Sequence, residues 1–120
     1  MKYADLDVYK KSYNLALSIY KFSEALPSDE KYGIVSQMKR ASLSIPMNIA
    51  EGYGKQSTST ELIRFLQMAK GSCNEMTVLL EFLKDLGHLK EEHYQKYYLA
   101  YEEVEKMLYG LIKHKRGKPL

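Results

Sequence analysis

QMKRASLSIPMNIAEGYGKQS (37–57) and, after a three-residue gap, ELIRFLQMAKGSCNE (61–75) carry the pattern from which the fold can be read. In the first stretch Met38, Ala41, Ile45 and Ile49, preceded by Ile34, recur at steps of three and four. That spacing puts them on one face of a helix. In the second stretch Leu62, Leu66, Ala69 and Cys73 continue into Met76, Leu80 and Leu83 and keep a heptad register. Thr58 followed by Glu61 fits a capping box that starts this helix. Gly52 and Gly54 mark the end of the preceding one, and Gly87 closes the next. Pro46, inside the first helix, removes an N–H and crowds the carbonyl of Ser42, which predicts a local kink.

Beside the apolar faces runs a polar pattern. Arg40, Ser44, Asn48 and Glu51 follow one another at steps of four, four and three, and Arg64, Gln67, Gly71 and Glu75 span the same number of helical turns. An antiparallel hairpin turning near residues 54–57 sets Arg40 opposite Glu75, Ser44 opposite Gly71, Asn48 opposite Gln67 and Glu51 opposite Arg64. This register predicts two ion pairs, one close small–small contact and one exchange of amide hydrogen bonds. Charges at the depth of this stripe are expected to be buried and must be paired, and removal of Glu75 alone is expected to cost about 3–5 kcal/mol, as for a broken buried pair.

Outward from this hairpin the three-and-four spacing persists and no segment alternates as a half-buried strand does. A first helix is predicted over residues 5–26, with Leu6, Tyr9, Tyr13, Ala16 and Tyr20 on one stripe and Val8, Leu15, Ile19, Phe22 and Leu26 beside it, stopped by Pro27. Ser28 and Asp29 offer N-cap oxygens to the second. A fourth helix over 91–115 carries Tyr94, Tyr97, Tyr101, Val104, Leu108 and Leu111 at the same spacing. Four helices of matched length joined by short connections imply an all-α, up-down-up-down antiparallel four-helix bundle. It takes up residues 1–120 as one domain, the last few residues forming a flexible basic tail.

Composition narrows the classes of function. The 120 residues hold 18 Lys and Arg against 15 Asp and Glu, a net charge of +3, too mild to imply a nucleic-acid partner by itself. One cysteine makes no internal disulfide, and residues 1–11 lack the apolar run of a signal peptide or membrane span, so a cytoplasmic protein without membrane attachment is expected. No catalytic constellation or cofactor motif stands out. The segment 52–57 ends like a P-loop, but Ile49 stands where the first glycine belongs and no parallel strand precedes it. His88, His93 and His114 lack metal-ligand spacing and read as surface residues. Cys73 falls on the apolar stripe and reads as a packed small hydrophobe. Glu51 and Glu75 beside arginines are suited to ion pairing more than to proton donation. No enzyme, metal or cofactor is expected.

The segments 37–57 and 61–75 together resemble a four-helix-bundle family known from proteins encoded in 23S rRNA intervening sequences. The likeness spans residues 5–90 and is densest at Ser44-Ile45-Pro46-x-Asn48-Ile49-Ala50-Glu51-Gly52 and Phe65-Leu66-x-x-Ala69-x-Gly71-Ser72. Tyr9 replaces a frequent Trp, and Lys39 a usual Arg. The resemblance implies a ring-shaped homopentamer, in a family most of whose members have no demonstrated catalytic activity. A related branch, the accessory proteins of diversity-generating retroelements, works with a reverse transcriptase and nucleic acid.

The last helix carries its own signal. Lys106, Tyr109, Lys113 and Arg116 share a stripe, with Lys115 and Lys118 close by. Lysines tracking phosphate and a base stacked on Tyr109 would make a weak, sequence-indifferent contact to RNA or DNA. Of the eleven tyrosines, Tyr94, Tyr97, Tyr98, Tyr101 and Tyr109 of the fourth helix spread over too wide an arc for one core seam. They form either a solvated phenolic rim or a subunit interface, and the family resemblance favours the interface. The expected function is that of an oligomeric, non-enzymatic scaffold binding nucleic acid weakly. The alternative is an adaptor for a polymerase-like or helical protein partner.

Overall fold

In the computed structural model, which describes residues 2–28, 33–54 and 58–117, a 3-10 turn at Tyr3–Asp5 leads into four helices. These are α1 (Asp7–Ser23), α2 (Ile34–Gly54), α3 (Ser59–Asp85) and α4 (Glu91–Arg116). Each packs on the helices before and after it in the chain, and α4 closes back on α1. The result is an all-α, up-down-up-down antiparallel four-helix bundle of 49 × 22 × 20 Å. Among the described residues no helix is long and apolar enough to cross a membrane.

Local chemistry sets most helix ends. Thr58 is the N-cap of α3, and its hydroxyl accepts the Glu61 N–H at 3.2 Å, half of the capping box the sequence suggests. At the other end Gly87 takes a positive φ of 84°, and the His88 and Gly87 N–H groups donate to the carbonyls of Leu83 and Lys84 at 2.9 and 3.0 Å. This pair of bonds is a Schellman closure, which needs a residue at ease in the left-handed region. The first helix stops sooner than Pro27 requires. Its last regular residue is Ser23, whose hydroxyl donates back to the Ile19 carbonyl at 2.7 Å, and the next three N–H groups bond three residues back in a tightened turn. Ser28 lies well ahead of the start of α2 and does not cap it; Asp29 lies outside the described residues, as do Gln56 and its neighbours in the α2–α3 connection. Helix α2 passes through Pro46 without a break.

The core follows the apolar stripes of α2 and α3 closely. Met38, Ala41, Ile45 and Ile49 interlock with Leu66, Ala69, Cys73, Met76, Leu80 and Leu83, all fully buried. In α1 the buried line is instead Val8, Ser12, Ala16, Ile19 and Ser23, and Tyr13 and Tyr20 are left on the outside. Two serines are tolerable inside because each hydroxyl donates to a carbonyl of its own helix, Ser12 to Tyr9 and Ser23 to Ile19. Helix α4 buries Tyr94, Tyr101, Val104, Leu108 and Ile112, with Tyr97 and Leu111 half-buried at the edge. Tyr97 ties α4 to α1, its hydroxyl 2.7 Å from that of Ser18 and its ring against Phe22.

Gly52 has a different task from the helix-ending one its sequence context suggests. It is buried within α2, and a Cβ there would sit 2.8 Å from Leu62 Cδ1 and 3.1 Å from Phe65 Cβ. The glycine is a notch that lets α3 come close. At Gly71, by contrast, an added Cβ meets nothing within 4 Å. Gly52→Ala should therefore lower stability by about 1 kcal/mol, overpacking outweighing the gain in helix propensity. Gly71→Ala should raise it by about 0.5–1 kcal/mol. Urea midpoints of the two variants and the parent check both signs.

Candidate functional site

The polar stripe lies along the mouth of the α2–α3 junction. Arg40 Nη2 donates to Glu75 Oε2, joining the two helices as their antiparallel register requires. The pair sits in solvent, the side chains 62% and 34% exposed, so it is a surface ion pair. Ser44 meets Ser72, the hydroxyls 2.8 Å apart, and not Gly71, which is turned outward. The Arg40–Glu75 pairing is the one the spacing predicts, and the Ser44 contact falls on the residue next to the predicted one. Asn48 turns back on its own helix and donates to the Ser44 carbonyl at 2.9 Å and to Ser44 Oγ at 3.0 Å, leaving Gln67 exposed on the outer side of α3.

The Arg64 guanidinium lies 4.7 Å from the Phe65 ring centre and 3.7 Å from Met68 Sδ, laid along its own helix. Between these residues runs an open groove of about 400 Å³ lined by Arg40, Leu43, Ser44, Met47, Asn48, Glu51 and Phe65. Met47 is 60% exposed on its wall. The groove mixes apolar walls with a charged rim, the character of a protein-contacting surface.

The basic stripe of α4 holds together on the outside of the bundle. Lys106, Tyr109, Lys113 and Arg116 are all exposed, Tyr109 by 56%. Lys106 has Glu102 for a neighbour at 4.0 Å. Lys70 of α3 joins the stripe, its ammonium 5.4 Å from the Tyr109 ring centre, an addition visible only once α3 and α4 are laid side by side. Lys115 turns the other way, 5.9 Å over the Tyr53 ring near the end of α2. Lys118 lies outside the described residues.

A family model described as "23S rRNA-intervening sequence protein" matches residues 4–110. The chain belongs to that family. A solved structure of a Bacteroides thetaiotaomicron protein with unknown function, from the S23 ribosomal protein family, is similar at 29% identity and TM-score 0.81, over 88% of this chain and 95% of that one. The search of curated proteins finds no match. The family match takes in the whole α2–α3 groove and ends within α4, so Lys113, Lys115 and Arg116 fall beyond it.

The interior holds two titratable groups of interest. Burial pushes the Cys73 thiol up to about 12, with Glu105 adding to the shift and Lys70 opposing it. Burial likewise raises Tyr101, helped by Cys73 and Tyr97, and its buried hydroxyl has no hydrogen-bond partner among the described residues. Both groups hold their protons more tightly folded than unfolded. Their stabilisation is complete below the ordinary values of 9.0 and 10.0 and is lost as pH rises through the folded ones. A thiol held this way is a poor nucleophile.

Two measurements follow from this geometry. Because the Arg40–Glu75 pair is exposed, Glu75→Gln should cost no more than about 1 kcal/mol in denaturant unfolding, not the larger loss expected of a buried pair. The urea midpoint should hold steady from neutral pH to about 9 and then decline. Tyr101→Phe should flatten part of that decline and leave stability at neutral pH equal or higher, since it removes an unpaired buried hydroxyl. A steeper decline in that variant would contradict the assignment.

Proposed function

We propose that the protein is a non-enzymatic, homopentameric four-helix bundle of the cytoplasm that binds RNA or DNA weakly and without sequence preference through the outer face of α4. The observation that carries this reading is the exposed stripe at the end of that helix. Lys113 and Arg116 project from its last turn with no carboxylate within ion-pair distance among the described residues, and half-exposed Tyr109 stands one turn earlier with Lys70 above it. Cations spaced along a helix suit a phosphate backbone, and an exposed ring beside them suits an unstacked base. The pentamer follows the family resemblance and matters energetically, because several copies of a weak patch on one particle add their contacts by multivalency. The absence of catalysis is supported by the buried, high-pKa Cys73 and by the engagement of Glu75 with Arg40.

A second reading, an adaptor for a helical protein partner, is favoured by the groove with its exposed Met47 and Leu43. Fluorescence anisotropy with a labelled single-stranded RNA and a DNA duplex, at low and at moderate salt, separates the two. Affinity should fall steeply with salt, and Lys113→Gln with Arg116→Gln should weaken both ligands by roughly tenfold or more and lower the slope of log K against log salt by about 1.4–1.8 per patch. Tyr109→Ala should weaken the single strand more than the duplex. No binding at low salt would remove nucleic acid from the function and leave the adaptor reading.

A further inference from the structure

Among the apolar surfaces that the described residues turn to solvent, two differ in shape in a complementary way. One is a slot between α1 and α2, about 220 Å³, walled by Tyr13, Ala16, Leu17, Tyr20 and Leu43. The other is a ridge on α3, where Val78, Phe82 and Leu86 follow at steps of four and stand 63%, 53% and 47% exposed. Large apolar side chains this exposed and this contiguous mark an interaction surface. We infer that the slot of one copy receives the Phe82 ridge of the next, so that the subunits join head to tail. This deepens the assembly reading above and rests on it.

Shape and charge agree. A cavity of about 150 Å³ already accepts a benzene ring, so the slot has room for the Phe82 side chain. Lys21 stands one turn along α1 from Leu17, and Lys39 lies 5.1 Å from the Tyr20 ring centre, giving the slot a basic rim. Exposed Glu81 and Asp85 flank the ridge; Lys84 lies 4.0 Å from Asp85 and 3.7 Å from Glu91, its ammonium over the Tyr94 ring, so Glu81 is the carboxylate of this flank farther from that cation's reach. A basic slot against an acidic ridge steers unlike surfaces together and penalises slot on slot or ridge on ridge.

The two surfaces also point in different directions. Helix α3 lies diagonally across the bundle from α1, so a contact that joins the α1–α2 face to α3 is heterologous, and each added copy is rotated relative to the last. A heterologous contact closes into a ring when its rotation divides the full circle and otherwise grows a filament, so this contact suits the closed assembly of the reading above.

Leu17→Glu and Phe82→Glu, at exposed positions on opposite sides of the contact, test the pairing by analytical ultracentrifugation and native mass spectrometry. The parent should be a closed oligomer, and each variant alone a monomer with an unchanged circular dichroism spectrum and a cooperative melt at a lower temperature than the assembled parent. An equimolar mixture at high concentration should form a 1:1 heterodimer, since the first variant keeps its ridge and the second its slot. Loss of assembly in Phe82→Glu but not in Leu17→Glu would show ridge pairing with ridge and overturn the inference, as would a mixture that stays monomeric. An oligomeric parent unaffected by either variant sinks this contact alone. A monomeric parent sinks the assembly reading with it.

Discussion

The close apposition of α2 and α3 is the constraint on which the rest of this bundle depends. Ile45 and Ile49 reach Leu66, Ala69 and Cys73 because the backbones are near, and near approach at the closed end of the hairpin depends on the bare Cα of Gly52 beneath Leu62 and Phe65. The hydrophobic stripe supplies the driving force and the notch decides how much of it is realised, since dispersion and area burial both fall away quickly across a gap. The Ser44–Ser72 hydroxyl contact lies farther along the same seam. It has directional geometry where apolar packing has little, so it discriminates between neighbouring registers that the leucines and isoleucines alone would leave close in energy.

How legible this was in the sequence varied with the physics involved. The four helices and the apolar lines of α2 and α3 were readable because heptad spacing is a direct image of burial, and Thr58 and Gly87 were readable because a cap and a left-handed turn each demand particular chemistry. In α1 the same method put Tyr13 and Tyr20 on an inward stripe, because hydropathy counts a tyrosine as apolar and a serine as polar. Ser12 and Ser23 took the inner positions by satisfying their hydroxyls locally, a bond no periodicity can display. Within the candidate site the pairing of Arg40 with Glu75 was legible, whereas its exposure was not. Complementary spacing reports which residues face each other along two helices and says nothing of their depth.

That difference of depth changes what the polar stripe is for. A buried arginine–glutamate pair would contribute mainly by being costly to break, whereas a solvated pair contributes little to stability. Yet the stripe does not decorate an otherwise polar surface: Leu43 and Met47 lie between its members on α2 and Met68 beside it on α3, all exposed. Arg64 spends its guanidinium on Phe65 and Met68, shielding apolar surface as a long cationic side chain can. The groove thus combines exposed apolar side chains with charged ones that partly cover them.

The two ends of the molecule's chemistry thereby fall to different parts of the chain. The slot, the groove and the Val78–Phe82 ridge lie within the span that matches the family, on α1, α2 and α3. Exposed Lys113 and Arg116 lie past it, on the last turn of α4. Packing faces must answer to one another, so an interface constrains residues on several helices at once. A basic helix end answers only to a phosphate backbone, whose charge is uniform, and it can gain or lose a lysine with little effect on the core. The apolar surfaces are therefore tied to the packing of several helices at once, whereas the basic end of α4, past the span that matches the family, is tied to little of the core.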